Sequence, residues 1–301
     1  MTKHTKGVSL AVTTAVMWGI MGIFVRNLST IGLSNIEISF FRCFIAGVSF
    51  FLFLFIANRS ILKINLKGLI ICLFYGITAY GISFVSYTVS VSRIPVSIAT
   101  VLMFMSPIWV AILSKFLLKE DLTKQKVLSI GICIIGAVLV TNLIGSGTTK
   151  LDIIGVLAGI INGIGVALQI ILPHFLSKDY EKDTILVYGF IGATAGLAIF
   201  ISPKALFSVL SVAPKSNLLI NLFGIGILCT MVANVACVTS TKYIEATTTS
   251  IISALEVVVG TIVGIVLYNE KITLLQLLGA VIIVVGAILS EIKMKHKLRE
   301  N

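Results

Sequence analysis

A chain of 301 residues that is 57% apolar and only 12% charged falls far short of the roughly 25% charge typical of soluble domains. The mean hydropathy of +1.10 marks a polytopic membrane protein, and the net charge of +11 comes from lysines and arginines that flank apolar runs, so nucleic acid is not an expected partner. The five cysteines all lie inside apolar runs and form no CxxC pair, so they read as small packing residues without a disulfide framework.

About 20 mainly apolar residues are needed per helical span. In chain order the candidates are Val8–Leu28, Ile36–Ala57, Leu66–Val89, Val96–Leu118, Val127–Ile144, Ile153–Pro173, Thr184–Ile201, Leu218–Thr241, Thr247–Leu267 and Leu274–Ile292. Val8 onward reads as a retained helix rather than a signal peptide, because no small-residue cleavage site follows it. No soluble domain is expected to flank the membrane part.

The distribution of positive charge tests the count. With ten spans, sixteen lysines and arginines fall on one side and six on the other, with Arg42 inside a span. The positive-inside rule then puts both termini in the cytoplasm of a multi-pass protein of the cell membrane.

The chain also repeats itself at an offset of about 150 residues. Glu120 and Thr123 of KFLLKEDLT match Glu270 and Thr273 of IVLYNEKIT, and Gly136-Ala137 match Gly286-Ala287. Five helices per half is an odd number, so the second copy must run inverted through the membrane. The expected fold is all-α, ten transmembrane helices as two inverted five-helix repeats, 1–146 and 147–301. Such repeats suit a carrier, because exchanging the conformations of two similar halves opens a central site to either side.

Three segments carry a family resemblance: SFFRCFIAG in the second span, SPIWVAILSKFLLKEDLT in the fourth and LEVVVGTIVGIVLYNEKIT in the ninth. The whole chain resembles the drug/metabolite transporter superfamily, in particular its EamA-type ten-helix members. That resemblance implies a 5+5 inverted-repeat carrier of small organic solutes, often amino acids or related metabolites, and frequently an exporter. The family pattern in the ninth span is Leu-Glu-Pro, whereas here Val257 follows Glu256. Pro107 keeps the proline in the first repeat.

Glu256 is the carboxylate that needs a reason. At mid-membrane an ionised carboxylate costs about 2.5–3.5 kcal/mol by insertion scales, so it is protonated or faces a polar cavity. Helical spacing puts Thr249, Ser253, Gly260 and Gly264 on its stripe, with Ile251, Leu255, Val258 and Ile262 elsewhere. The functional reading is a site for a proton or a substrate ammonium; the structural one is a carboxylate held by neighbouring hydroxyls. Ser106 and Pro107 take the matching positions in the fourth span, where Pro107 predicts a bend; the ninth helix, without proline, is expected to stay straighter.

Arg42 either snorkels or pairs with Glu37, or it binds a substrate carboxylate in bidentate fashion. Trp18 falls mid-helix rather than in an interfacial belt, and Tyr80 and Asn234 reach cavity depth. Asn162, Gln169 and Asn234 read first as interhelical hydrogen-bond partners. Gly155, Gly159 and Gly163 recur every fourth residue, which lets a neighbouring helix approach closely, and Gly260 and Gly264 are expected to do likewise.

No nucleotide-binding P-loop is present, and the three histidines lie far apart without H-E-x-x-H spacing. The sequence therefore names no catalytic residue, metal site or cofactor, and an enzyme is not expected. The expected substrate-binding set is Glu256, Trp18, Tyr80, Asn234, Ser253, Ser106 and Arg42, with Pro107 as the kink. The expected partners are a small-molecule substrate and the lipid bilayer; one chain suffices to enclose a site, and a dimer is left open. The alternative is a non-transporting membrane sensor or assembly factor on a transporter-like fold.

Overall fold

The computed structural model describes residues 2–141, 152–203, 207, 211 and 215–297, and for 292–297 the backbone alone. The expected repeat boundary at 146/147 lies outside the described residues, as do Lys150, Lys204 and Arg299. Among the described residues there is no strand, and ten helical stretches have 17 residues or more. They are α1 (Lys3–Ile31), α2 (Asn35–Ala57), α3 (Leu66–Arg93), α4 (Val96–Leu118), α5 (Lys124–Val140), α6 (Ile153–Leu176), α7 (Lys182–Ala198), α8 (Lys215–Ser240), α9 (Ala246–Tyr268) and α10 (Leu274–Lys297). Eight are long and apolar enough to cross a membrane, while α5 and α7 have 17 residues each.

Contacts between distant chain segments fix which helix ends lie together. His4 and Glu291, Glu120 and Ala246, and Lys182 and Thr241 join one end of the bundle, which is rich in lysine. Arg26 and Glu270, and Arg93 and Asp152, join the opposite end. Successive helices therefore run antiparallel.

Two kinds of surface result. Phe53, Ile56, Leu66 and Val266 are exposed, as lipid-facing side chains are. Inside, Tyr75, Tyr80, Phe190 and Leu197 pack between α2, α3 and α7, and Val110, Ile170 and Cys237 between α4, α6 and α8. All five cysteines are free and buried. Gly155, Gly159 and Gly163 lie against Ile94, Leu102 and Trp109, so α6 packs closely on the segments before and within α4. Gly264 does not meet a neighbouring helix; the Glu270 carboxylate folds over it instead.

Local geometry recurs at the 150-residue offset. Among the described residues Lys119 and Asn269 are the two non-glycine residues with positive φ, at 60° and 50°, and the following N–H groups of Glu120 and Glu270 reach back to the carbonyls of Ser114 and Gly264 at 3.2 and 3.1 Å. α5 packs along α10 through matched contacts: Gly136 meets Gly279 and Ile283, and Gly286 meets Ser129 and Cys133. α3 and α8 each contain a π-helical turn, at Ile77–Ile82 and Gly224–Val232.

The expectation of a straight ninth helix is overturned. α4 is interrupted at Met105, just before Ser106 and Pro107, and α9 is interrupted at Ala254 and Leu255, just before Glu256. At the second break the Leu255 and Val257 N–H groups bond three residues back, to Ile252 and Ala254 at 3.0 and 3.2 Å. A tightened turn of this kind needs no proline, because the Ala254, Leu255 and Val257 N–H groups keep backbone partners. The break also corrects the stripe reading of α9. Ala246 to Ser253 are all buried, Ile251 included, and lipid-facing residues such as Ile262 and Val266 occur only after Glu256.

Candidate functional site

α1, too, is interrupted at mid-length, at Ile20 between Gly19 and Met21. A Cβ on Gly19 would collide with the Val259 side chain and the Glu256 carbonyl, so α1 and α9 touch at their breaks. This close approach is available only to a residue without a side chain. The three interruptions, in α1, α4 and α9, bring Trp18, Ser106 and Glu256 to one place.

That place is a cavity of about 300 Å³ running from mid-bundle toward the end opposite the lysine-rich one. Trp18, Ser106, Asn162, Gln169 and Glu256 line its deep part; Asn35, Ser39 and Thr88 line it near the helix ends, and Arg42, Phe84 and Tyr87 stand between. Its volume falls at the lower end of the range for small-molecule sites, and a mostly apolar wall with a few polar groups is the usual composition of one. No protein group among the described residues donates a hydrogen bond to the Glu256 carboxylate, which faces the cavity. Under the floor, Ser253 joins Trp18, Ser106, Pro107 and Glu256 around a further pocket of about 20 Å³.

Arg42 is buried. Its Nε donates to Thr230 Oγ1 at 3.0 Å and its guanidinium lies 4.7 Å from the centre of the Phe84 ring. The alternative pairing with Glu37 is not among the ion pairs of the described residues. Glu37 accepts from the N–H and hydroxyl of Ser34, both at 2.8 Å, in a capping box that starts α2.

Tyr80 and Asn234 are not in the cavity wall. They form a buried layer behind Arg42: Tyr80 donates to Asn234 Oδ1 at 2.8 Å, and Asn234 Nδ2 donates to the Thr230 carbonyl at 2.8 Å. Thr230 in turn donates to the carbonyl of Ile225, five residues back, at 2.9 Å. The π turn of α8 thus aims the Thr230 hydroxyl at Arg42, while the π turn of α3 carries Tyr80.

Asn162 donates to the Ser83 carbonyl and hydroxyl at 3.0 Å each, and its Oδ1 has no partner among the described residues. Gln169 donates to the Ala79 carbonyl at 2.9 Å. Both therefore join helices and line the cavity at once. Sequence reasoning missed Phe84, Tyr87, Met103 and Thr230; the only signal for Phe84 and Tyr87 was their spacing after Tyr80 on one helix.

The cavity is closed at the lysine-rich end. Glu120, in the loop after α4, accepts from the Ala246 and Thr247 N–H groups at 2.7 and 3.2 Å and from the Thr247 hydroxyl at 2.8 Å. Thr247 Oγ1 also lies 2.8 Å from Ser114 Oγ. Lys126 donates to the Asp121 carbonyl at 2.8 Å and forms an ion pair with Glu245. Among the described residues no cluster of His, Cys, Asp and Glu has the arrangement of a metal site.

Comparison with known proteins agrees with this architecture. A family model described as the EamA-like transporter family matches residues 5–142 and 153–292. A curated protein named "Uncharacterized transporter" from Archaeoglobus fulgidus is 25% identical over 285 residues, 94% of this chain and 96% of that protein. Another of the same name from Helicobacter pylori is 28% identical over 222 residues, 73% of each. A solved crystal structure with 15% sequence identity superposes with a TM-score of 0.81 over 97% of this chain and 99% of its own, which establishes the shared fold alone. With both halves matched by the family model, this integral membrane protein belongs to the EamA-like transporter family.

Proposed function

We propose that the chain is a secondary transporter that moves small organic solutes, amino acids or related metabolites, out of the cell across the cytoplasmic membrane by alternating access. In this reading the two halves, 1–146 and 147–301, are inverted repeats of five helices, and the lysine-rich end faces the cytoplasm. The matched turns at Lys119 and Asn269 and the matched α5–α10 contacts support that arrangement.

The observation that carries the proposal is one cavity that holds an arginine and a glutamate among apolar and aromatic groups. Arg42 is already oriented by Thr230 and Phe84, and so offers a fixed anion site. Glu256 offers a carboxylate without a protein donor. Opposite charges in one small cavity fit a solute with an acidic and an amino group. Ser106, Asn162 and Gln169 supply hydrogen-bonding groups between them, and Trp18 an apolar wall.

Counterflow in proteoliposomes with a panel of labelled amino acids and related metabolites tests this. The expected result is saturable exchange of at least one zwitterionic solute, strongly reduced with Glu256→Gln. Folded protein that binds such a solute yet never moves it overturns transport in favour of a sensor. Net efflux from solute-loaded cells, compared with uptake, tests the direction.

A further inference from the structure

The two Glu-x-x-Thr turns share one backbone conformation but differ in what their glutamates hold. Glu120 covers the start of α9, whose own N-cap residue, Glu245, makes no side-chain cap. The first N–H groups of a helix have no partner within it, and an acidic side chain there gains from both hydrogen bonds and the helix dipole. Ala246 and Thr247 are fully buried under this contact.

The counterpart of Ala246 and Thr247, 150 positions earlier, is Val96 and Ser97 at the start of α4. That helix start is also uncapped, since its N-cap residue is Pro95. Here, however, Val96 is exposed and Ser97 half-buried. The counterpart of Glu120 is Glu270, which is turned away onto Arg26, 3.0 Å distant, with its side chain about half exposed. Arg26 itself stacks 4.0 Å over the Tyr268 ring. Ser97 carries a hydroxyl where Thr247 does, so the acceptor geometry seen at the closed end has a matching set of donors at the open end.

We propose that Glu120 and Glu270 are alternating latches, one per end of the bundle. In the structure Glu120 holds the lysine-rich end shut by capping α9. In the opposite conformation Glu270 leaves Arg26 and caps α4 through the Val96 and Ser97 N–H groups and the Ser97 hydroxyl, while Glu120 lets go of Ala246 and Thr247. This rests on the alternating-access reading above and names the residues that position its two states. The latches are unequal. Lys126 and Glu245 add an ion pair beside Glu120, and their counterparts are Gln276 and Pro95, which cannot form one. The state with the lysine-rich end closed is accordingly the resting state.

Crosslinking of the full chain in membrane vesicles tests the exchange. Val96→Cys with Lys271→Cys places thiols at exposed positions beside the second latch and leaves Glu270 intact, and the five native cysteines are buried. A short bis-maleimide is expected to join this pair in low yield, with the yield rising at least threefold when Glu120→Gln is added. Adding Glu270→Gln as well is expected to cancel that rise. An unchanged yield with Glu120→Gln, or a rise that survives Glu270→Gln, overturns the proposal.

Should Glu120→Gln prevent folding, Glu270→Gln alone decides, because its side chain is exposed and the substitution leaves the folded chain intact. The expected result is a crosslink yield at least threefold lower than with Glu270 present, and an unchanged yield overturns the proposal. Solute counterflow by the parent chain separates the two readings. Flux without latch-dependent crosslinking removes the latches alone, whereas latch-dependent crosslinking without flux for any solute removes the transport assignment and upholds the exchange.

Discussion

α4 and α9 occupy matching positions in the chain and break at matching depth, yet by different chemistry. α4 resumes at Ser106-Pro107, so its proline sits in the first turn of the second segment, where a missing N–H costs little. α9 breaks at Ala254 and Leu255 with no proline or glycine in the turn, its N–H groups shifting to partners three residues back. The comparison teaches that the bend belongs to the architecture and that proline is one way of fitting a sequence to it. What differs in chemistry is the first residue after the break: a serine in α4 and a carboxylate in α9.

If that carboxylate is the functional half of the comparison, its loss gives the largest effect. Hydrogen bonds to charged groups contribute about 1.5–3 kcal/mol, so Glu256→Gln is expected to lower transport on the order of tenfold to a hundredfold. Ser106→Ala, measured beside it in the same counterflow assay, is expected to stay within about threefold, since a neutral hydrogen bond contributes nearer 1 kcal/mol. Equal losses would mean that the two helices share the work evenly and would break the comparison. Arg42→Lys tests the opposite wall: a lysine keeps the charge but loses the planar stack on Phe84 and the fixed fork, and about tenfold weaker apparent affinity is expected. Retention of full affinity would show that Arg42 serves packing alone.

Gly19→Ala reads the break in α9 from outside. The added methyl meets Val259 and the Glu256 carbonyl, so detergent-solubilised protein should lose about 1–3 kcal/mol of stability, visible as an earlier unfolding midpoint. An unchanged midpoint would show that the α1 and α9 interruptions are not held against each other.

These residues also mark how far the sequence could be read. The all-helical fold and the eight helices long and apolar enough to cross a membrane were legible because hydrocarbon demands length, apolarity and satisfied backbone in every span. Glu256 stood out because a lone carboxylate in such a run is costly. The interruption before it was not legible, since Ala254 and Leu255 are ordinary helix formers and only packing tightens that turn. Thr230 was hidden for a related reason: the π turn adds a residue and rotates everything after it, so a regular helical stripe misplaces the hydroxyl that holds Arg42. Tyr80 and Asn234 have cavity depth but lie one layer back, and depth is all that a span boundary supplies.

The smallest expected effect separates proline from architecture most cleanly. If the bend in α4 is imposed by its surroundings, as the unaided bend in α9 implies, then Pro107→Ala keeps it. Ala111 and Val110 stay packed against α5 and α6 respectively, Met105 keeps its bonds to Val101 and Leu102 at 3.0 and 3.3 Å, and Ser106 remains in the cavity wall. Transport is then expected to stay within about threefold of the parent, because alanine in the first turn of a helix segment costs less than about 1 kcal/mol relative to proline there. A tenfold loss with unchanged folding would show that α4 straightens without its proline, and that the two helices bend for separate reasons.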